Sequence, residues 1–318
     1  MKKSRATRQG DKPVSRLSTR RKILRNYQLY LLLLPGLLLI FIFKYLPLPG
    51  LIIAFEDYYP WTGFFDSEWV GLKHFIHIFQ SETFLRLLGN TLVLSLLNLI
   101  FVFPSAIILA LLINELHNGI FKRTVQTVSY LPHFISWVVV AGMAYNFLAT
   151  DTGILNNLLK HLGLDPVMWY ADASKWRGIL TVTSIWKTCG WGTIVYLAAI
   201  TSINPGLYEA AVIDGASKFR QIWHITIPGM MPVISVTLIL TIGKLIKDDF
   251  EQIYALVGNN NLLSETTDVL GTWIFRTSMI NGEFSSAAAL GLFQGIVSFI
   301  MVTGANMLAK RTENSSLW

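Results

Sequence analysis

The sequence predicts an all-α integral membrane protein with six transmembrane helices and both termini in the cytoplasm. Hydrophobic residues make up 53% of the 318 residues and charged residues only 14%, whereas soluble domains contain about 25% charged residues. The apolar content excludes a disordered chain, and the single cysteine, Cys189, excludes a disulfide scaffold. Six apolar runs of spanning length give the helix count, and the distribution of Lys and Arg gives the orientation.

The net charge of +7 comes from the N-terminal tail. Residues 1–25 hold ten basic residues and one acidic residue, while the other 293 residues hold 16 basic and 18 acidic ones. A basic tail can bind nucleic acid, but this one lacks interleaved aromatic residues and leads directly into an apolar run. We therefore predict a topology signal and no nucleic-acid partner.

The first predicted span, Tyr27–Phe43, is long for a signal peptide and is not followed by a small-residue cleavage site, so we predict an uncleaved helix. Each later span is predicted to be helical because backbone polar groups in lipid must be satisfied within the segment. The later spans are Thr91–Ile113, Val125–Leu148, Ile179–Ile200, Met230–Ile246, with an extension to Val257 left open, and Ser286–Ala309.

Placing the N-terminus inside puts 16 basic residues in cytoplasmic segments and six in external ones, as the positive-inside rule requires. The predicted organisation is a basic cytoplasmic tail (residues 1–25), a six-span domain (26–309) and a cytoplasmic C-terminal tail (310–318). The external segments Leu46–Asn90 and Ala149–Trp176 are rich in aromatic residues and can form short interfacial helices. The protein is thus expected in the cytoplasmic membrane, in contact with lipid.

The most informative stretch is the predicted cytoplasmic loop 204–228, between the fourth and fifth spans. Its residues predict two short helices around Gly215, which permits a sharp turn. Asn204 can cap the first helix, with Pro205 at a tolerated first position, and Pro228 marks the start of the next span. Such a loop can present a compact helical knob to a soluble partner.

The spacing of this loop resembles the EAA loop in permease subunits of binding-protein-dependent ABC importers, with Ile227 where Leu is usual. In that family the loop is a coupling helix that docks into a cleft of the ATPase subunit. The alternative is an ordinary amphipathic loop, which a five-position match at fixed spacing disfavours. The resemblance implies that the coupling residues are Glu209, Ala210, Ala211, Asp214, Gly215, Ile225 and Pro228.

The rest of the chain is similar to polysaccharide and aldouronate-type permeases of the maltose-type carbohydrate uptake group. Segments that carry the similarity are LYLLLLPGLLLIFIFKYLPLPG, IWKTCGWGTIVYLAAI and the terminal SSLW. The resemblance implies a type I ABC importer permease fold and ATP-driven import of an oligosaccharide or polysaccharide fragment. It also implies three kinds of partner: a second homologous permease subunit, two ATPase subunits and an extracellular solute-binding protein.

Motifs for an enzymatic activity are missing from the sequence. The only Gly-Lys pair, Gly243-Lys244, lies in a predicted span and is followed by Leu245, so the chain has no P-loop. ATP and Mg are therefore expected at the partner ATPase subunits, with no cofactor bound by this chain. The six histidines show no zinc-ligand spacing, so no metal site is predicted; His74 and His77 are assigned to one face of an interfacial helix.

Ionisable residues within spans are costly and are functional candidates by default. For Lys187 in the fourth span, a buried structural role and a role in the transport path both stay open. Late in the fifth span, Lys244–Asp248 and Lys247–Glu251 are i,i+4 pairs that can neutralise each other on a helix. This group either lines a polar cavity for sugar hydroxyls or an anionic sugar, or marks a helix break. The candidates for the substrate path are Lys187, Trp191, Lys244, Asp248, Asp249, Glu251 and Tyr254.

Two other functions are compatible with parts of this pattern. A permease for a non-carbohydrate solute would keep the same loop, so only the resemblance separates it from a sugar permease. A stand-alone secondary transporter would show broken helices in repeated halves, and the sequence has no clear repeat.

Overall fold

The computed structural model describes residues 26–117, 119–247 and 249–312. The predictions made for the tail 1–25, for Asp248 and for residues 313–318 lie outside the described residues. The chain divides between Ile52 and Ile53 into two compact units.

The first unit contains helix α1, Tyr27–Ile40, which continues as a π-helical turn, Phe41–Tyr45. The second contains a two-stranded antiparallel ladder, in which Glu56 pairs with Trp69, and most of the helices. Its helices before the fourth predicted span are α2 Lys73–Gln80, α3 Glu82–Leu97, α4 Phe103–Glu115, α5 Ile120–Tyr130, α6 Trp137–Leu148 and α7 Ile154–His161. The remaining ones are α8 Trp176–Thr201, α9 Pro205–Ile213, α10 Lys218–Gln221, α11 Ile227–Ile242, α12 Phe250–Val257, α13 Ser264–Thr267, α14 Leu270–Phe275 and α15 Phe284–Thr312.

Four helical stretches of the described chain are long and apolar enough to cross a membrane: Tyr27–Phe55, Glu82–Glu115, Lys218–Ile242 and Phe284–Arg311. A fifth candidate is a pair of helices, Ile120–Phe134 and Trp137–Leu148, bent by 101°. Helix α8 covers the fourth predicted span and its 26 residues reach about 39 Å, but it is less apolar. The count of six spans therefore stays a prediction.

The third predicted span is broken. Instead of one helix over Val125–Leu148, α5 runs into a 3₁₀ turn, Leu131–Phe134, and α6 starts afresh at Trp137. Pro132 lacks the N–H that a continuing helix needs, and the Ser136 side chain accepts a hydrogen bond from the Val139 N–H, which caps α6. The prediction of a single continuous helix is wrong here.

The fifth predicted span is displaced towards the N-terminus. The helical stretch begins at Lys218 rather than Met230 and ends at Ile242, so neither Ile246 nor Val257 belongs to it. Pro228 does not start the span, because it lies inside this stretch, directly after a π-helical turn at Ile222–Thr226 whose wider coil makes room for the ring. The predicted pair Lys247–Glu251 does not form on this helix, since the helix ends at Ile242; the predicted pair Lys244–Asp248 includes a residue outside the described ones.

Helix α8 is the centre of the second unit and packs against α4, α5 and α11. It approaches α5 so closely that a Cβ added to Gly190 would lie 1.9 Å from the carbonyl oxygen of Ser129. Its buried side contains a polar stripe with a spacing of three residues. The members of this stripe are Thr181, Ser184, Lys187, Gly190 and Thr193.

The two segments predicted to be external contain short helices, as predicted. Helix α2 follows the two-stranded ladder, and its His74 lies 3.0 Å from the Asp57 carboxylate. Helix α7 lies in the second of these segments. Among the described residues, no group of three or more His, Cys, Asp or Glu side chains could hold a metal ion.

Candidate functional site

Loop 204–228 folds as two short helices around Gly215. The Asn204 Oδ1 atom accepts a hydrogen bond from the Gly206 N–H at 3.0 Å and caps α9, with Pro205 at its first position. Gly215 has a φ of +72°, in the left-handed region that glycine enters at little cost. The second helix, α10, is capped by Ser217. The predicted pair of short helices, the Asn204 cap and the turn at Gly215 are confirmed, whereas Pro228 does not start the next span.

Hydrogen bonds fix the two helices of the loop to the span that follows. The buried Gln221 donates from Nε2 to the Ala216 carbonyl at 2.9 Å. The Tyr208 hydroxyl lies 3.0 Å from the Thr226 hydroxyl, which connects α9 to the π-helical turn. The Lys218 ammonium lies 3.6 Å from the Glu115 carboxylate at the end of α4. The loop is therefore held as one body on the helical stretch Lys218–Ile242.

The outer face of the loop is apolar and exposed. Ile213 is 86% and Phe219 75% exposed, and the Phe219 ring stacks on that of Trp223 at 6.4 Å. Large apolar side chains exposed on one loop, here called the apolar patch, commonly mark a protein interface. Of the predicted coupling residues, Ala211 and Ile225 are half-buried, and Glu209, Ala210, Asp214, Gly215 and Pro228 are exposed.

The sequence interpretation did not single out Ile213 and Phe219 as exposed apolar residues of this loop. Both are large apolar residues in a loop predicted to face water, on either side of the Gly215 turn. That combination is the signal that could have identified them.

A polar cavity of about 440 Å³ lies among α3, α8, α12 and the turn that follows α11. The apolar part of its wall consists of Leu94, Leu180, Leu245 and Ile253. The polar lining residues are Ser95, Asn98, Thr181, Thr241, Lys244, Lys247, Asp249 and Gln252. A volume in this range and a few convergent polar groups are typical of small-molecule sites.

The end of α11 creates this cavity. At Gly243 the chain passes so close to α15 that an added Cβ would lie 2.0 Å from the Val302 side chain, and the chain then leaves the helix in a turn. Gln294 on α15 donates from Nε2 to the Ile246 carbonyl at 3.1 Å, which holds that turn. The break exposes Lys244, Lys247 and Asp249 to a shared space instead of pairing them along a helix.

Gln252 fixes the opposite wall. The side chain is buried; its Nε2 atom donates to the Leu180 carbonyl at 2.7 Å and lies 3.0 Å from the Thr183 hydroxyl. Its Oε1 atom accepts a hydrogen bond from the Ser184 hydroxyl at 2.8 Å. Three hydrogen bonds thus join α12 to α8, and their polar groups are satisfied within the protein, as an apolar environment requires.

The cavity brings together only part of the predicted substrate path. Of the predicted residues, Lys244 and Asp249 line it, while Glu251 is exposed outside it. Glu251 also forms no ion pair with Lys247, and the structure describes both residues. Tyr254 packs its ring on Phe275 at 4.7 Å, away from the lining.

The sequence interpretation treated Lys247 only as an ion-pair partner of Glu251 and did not name it as a candidate for the substrate path. The other lining residues that it missed are Ser95, Asn98, Thr181, Thr241 and Gln252. Polar side chains within otherwise apolar runs could have indicated most of them.

Lys187 and Trp191 lie at the break in the third span. Lys187 is buried, and its ammonium donates to the carbonyls of His133 at 2.8 Å and Ile135 at 2.5 Å. Trp191 stacks on the His133 ring at 4.5 Å. Lys187 is thus buried against these carbonyls and does not line the cavity, and its role in the transport path stays a prediction.

Two ion pairs lie in the segments predicted to be external. The Lys175 ammonium and the Ser174 hydroxyl and amide donate to the Asp172 carboxylate, and they hold its pKa at about 2. The Asp57 carboxylate, 2.6 Å from the Lys73 ammonium, raises the pKa of that lysine.

Comparison with known proteins gives matches along nearly the whole chain. Residues 102–314 match the family described as the binding-protein-dependent transport system inner membrane component. Protein LplB of Bacillus subtilis (strain 168) is 44% identical over 294 residues, which cover 92% of each chain. The polygalacturonan/rhamnogalacturonan transport system permease protein YteP of the same strain is 44% identical over 297 residues, which cover 93% of this chain and 92% of YteP.

Two solved structures share the fold. One is a bacterial ABC transporter involved in the import of the acidic polysaccharide alginate, with a TM-score of 0.84, 41% identity and coverage of 92% of this chain and 99% of that one. The other is a bacterial alginate ABC transporter in complex with an alginate pentasaccharide-bound periplasmic protein, with a TM-score of 0.85, 40% identity and coverage of 94% and 99%. The chain therefore belongs to the family of binding-protein-dependent transport system inner membrane components, which are multi-pass permease subunits of ABC importers without an ATPase site of their own.

Proposed function

We propose that this chain is the permease subunit through which an oligosaccharide or polysaccharide fragment crosses the cytoplasmic membrane during ATP-driven import. The observation that carries the proposal is the polar cavity among otherwise apolar helices. The similarity to YteP, a polygalacturonan/rhamnogalacturonan permease, and to the alginate transporter supports the substrate class.

The chemistry of the lining suits a sugar chain. The hydroxyls of Ser95 and Thr181 and the amide of Asn98 can donate and accept hydrogen bonds, as sugar hydroxyls do. Lys244 and Lys247 are the cations that a uronate carboxylate would pair with. The cavity therefore suits carboxylated as well as neutral oligosaccharides.

In the proposed assembly the chain pairs with a second homologous permease subunit, two ATPase subunits and an extracellular solute-binding protein. ATP and Mg bind at the ATPase subunits. With the six spans and cytoplasmic termini predicted from the sequence, loop 204–228 would lie where an ATPase can reach its apolar face. Ile213 and Phe219 would then be covered by the ATPase cleft.

One continuous helical stretch connects the two sites. Lys218–Ile242 begins in the coupling loop and ends at the cavity turn; its 25 residues span about 37 Å. A displacement of the loop when the ATPase dimer closes moves the base of this stretch, because Tyr208 and Gln221 join the loop to it. The same displacement reaches Thr241 and Lys244 in the cavity wall.

The test is uptake by the complete transporter in proteoliposomes, with binding protein and ATP. We expect uptake of oligosaccharides and a loss of about tenfold for Lys244→Met or Lys247→Met with a uronate oligosaccharide, since one charge-assisted hydrogen bond is worth ~1.5–3 kcal/mol. The matched control is Lys160→Met, an exposed lysine in the external segment. Uptake of a non-carbohydrate solute alone, or equal uptake by all three variants, would contradict the proposal.

A further inference from the structure

The break in the third span leaves backbone carbonyls without helical partners. The 3₁₀ turn ends at Phe134 and α6 begins at Trp137, after a bend of 101°. The last carbonyls of a helix need other donors, and in an apolar environment water is not available to supply them.

Lys187 supplies donors at this break from a different helix. It donates to the carbonyls of His133 and Ile135, and it adds to the Ile135 N–H as a donor to the Pro132 carbonyl, which that N–H already reaches at 3.2 Å. Its ammonium lies 3.4 Å from the Pro132 carbonyl oxygen, 2.8 Å from that of His133 and 2.5 Å from that of Ile135. An ammonium has three N–H groups and these are three acceptors. The same ammonium lies 5.2 Å from the centre of the Trp137 ring, within the range of a cation–π contact. One side chain, only 7% exposed, thus holds both sides of the break.

The position of the break determines the position of the cavity wall. Trp137 and Val140 of α6 share one hydrophobic cluster with Ile253 and Leu256 of α12, and the two helices pack against each other. Ile253 and its neighbour Gln252 line the cavity. A rotation of α6 about the break therefore changes the packing that supports α12 and, with it, the position of the cavity wall.

Helix α8 provides a second connection between the break in the third span and the cavity wall. Gln252 is hydrogen-bonded to Ser184, which is one helical turn before Lys187, and Thr181, one turn earlier, lines the cavity. The cavity wall and the break are thus held by consecutive turns of the same helix. Lys187 does not line the cavity.

We propose that Lys187 is a positioning residue for transport: it locks the break in the third span so that α6 braces α12 in the geometry that forms the substrate cavity. This rests on the proposed function, in which the cavity receives the transported oligosaccharide. Lys187 acts on substrate through α6 and α12 and does not contact it.

The test uses the complete transporter in proteoliposomes with Lys187→Met, Lys187→Gln and Lys187→Arg. Met removes every donor, Gln keeps two N–H groups without charge, and Arg keeps charge and donors. Lys160→Met controls for the loss of a lysine charge at an exposed position. Yield of assembled complex, basal ATP hydrolysis, and uptake of a uronate oligosaccharide at limiting and saturating binding protein are measured for each.

A second readout reports on the cavity wall directly. A cysteine replaces Thr241, in the lining, in a background with Cys189→Ser, and its rate of labelling by a small maleimide is compared with and without Lys187→Met. A residue that only stabilises the fold would change the yield and leave this rate, measured on assembled complex, as it was.

We expect Lys187→Met to lower uptake per assembled complex and to change the labelling rate, each by about tenfold, because buried carbonyls lose their donors. Lys187→Arg should retain most of the wild-type uptake and labelling rate, and Lys187→Gln should retain part of each. The proposal is overturned if uptake per complex and labelling match those of Lys160→Met, or if uptake falls while labelling stays unchanged. If Lys187→Met does not assemble, Lys187→Gln and Lys187→Arg decide by the same criteria.

The two proposals can fail separately. If the wild-type transporter imports no oligosaccharide but Lys187 substitutions still change the labelling rate, the substrate assignment is wrong and the locking of the wall stands. If oligosaccharide is imported and the Lys187 variants behave like the control, the positioning role is wrong.

Discussion

Gly215 allows a test of coupling in which only backbone strain is altered. Its φ is +72° and a Cβ added there meets nothing within 4 Å. The free-energy cost of a substitution is therefore only that of holding an ordinary L-residue in the left-handed conformation, roughly 1–2 kcal/mol. That free energy shifts the turn between α9 and α10 away from the observed conformation by a factor of about 5–30.

The expected result is graded uncoupling. Gly215→Ala should lower the number of oligosaccharides imported per ATP hydrolysed, by up to about fivefold or more, because the strain disfavours by that factor the loop conformation that the ATPase is proposed to bind. Gly215→Asn should lie between Ala and wild type, since asparagine tolerates the left-handed region better. Uptake and phosphate release are measured on the same proteoliposomes.

The chain contains a matched control for strain. Gly163 has a φ of +75° and a Cβ added there also meets nothing within 4 Å, but it lies just after α7, in a segment predicted to be external. Gly163→Ala should cost similar stability and leave transport per ATP unchanged. If Gly215→Ala transports as efficiently as wild type, or if Gly163→Ala uncouples equally, loop 204–228 does not couple transport in the way we argue.

Two further predictions concern packing and docking. Gly190→Ala places a methyl group against the Ser129 backbone, which cannot move aside as a side chain does. We therefore expect the free energy of unfolding to fall by about 1–3 kcal/mol and the thermal midpoint of the purified complex to fall with it. Gly291→Ala, with open space around it, should change neither quantity. Phe219→Ser removes an exposed ring from the apolar patch, so we expect weaker retention of the ATPase subunits, by about tenfold or more, with an unchanged yield of the membrane subunit. Equal retention would show that the patch is not covered by the ATPase.

The local features of this fold could be predicted from the sequence because their causes are local. Asn204, Pro205 and Gly215 determine a cap, a first turn and a reversal within a dozen residues, and each acts through its own backbone or side chain. The positions of most spans followed from the length of apolar runs for the same reason.

The breaks could not be predicted because proline does not by itself end a helix. Pro35 and Pro232 lie inside helices of this protein, and Pro104 and Pro228 follow π-helical turns within longer helical stretches. At Pro132 the helix does break, and the donors that stabilise the break come from a residue more than 50 positions away. The end of α11 depends in the same way on α15.

The polar lining of the cavity was hard to identify for a related reason. A hydroxyl residue in a span can satisfy itself on its own helix: Thr181 donates to the Arg177 carbonyl and still lines the cavity, while Thr188 makes the same kind of bond to Ser184 and does not line it. Residue type is the same in both cases, and only the packing of neighbouring helices separates them.

Lys187 shows how two costly features can explain each other. A buried ammonium is unfavourable while unpaired, and so is a set of buried carbonyls at a broken helix. Each was interpreted alone in the sequence, the lysine as a path candidate and the third span as an unbroken helix. Together they form a satisfied pair in which the cation donates to the carbonyls of His133 and Ile135, which the bend leaves without helical N–H partners. A lone cation in a span is therefore as much a reason to look for a broken neighbouring helix as for a ligand, and in this protein the broken helix lies beside it.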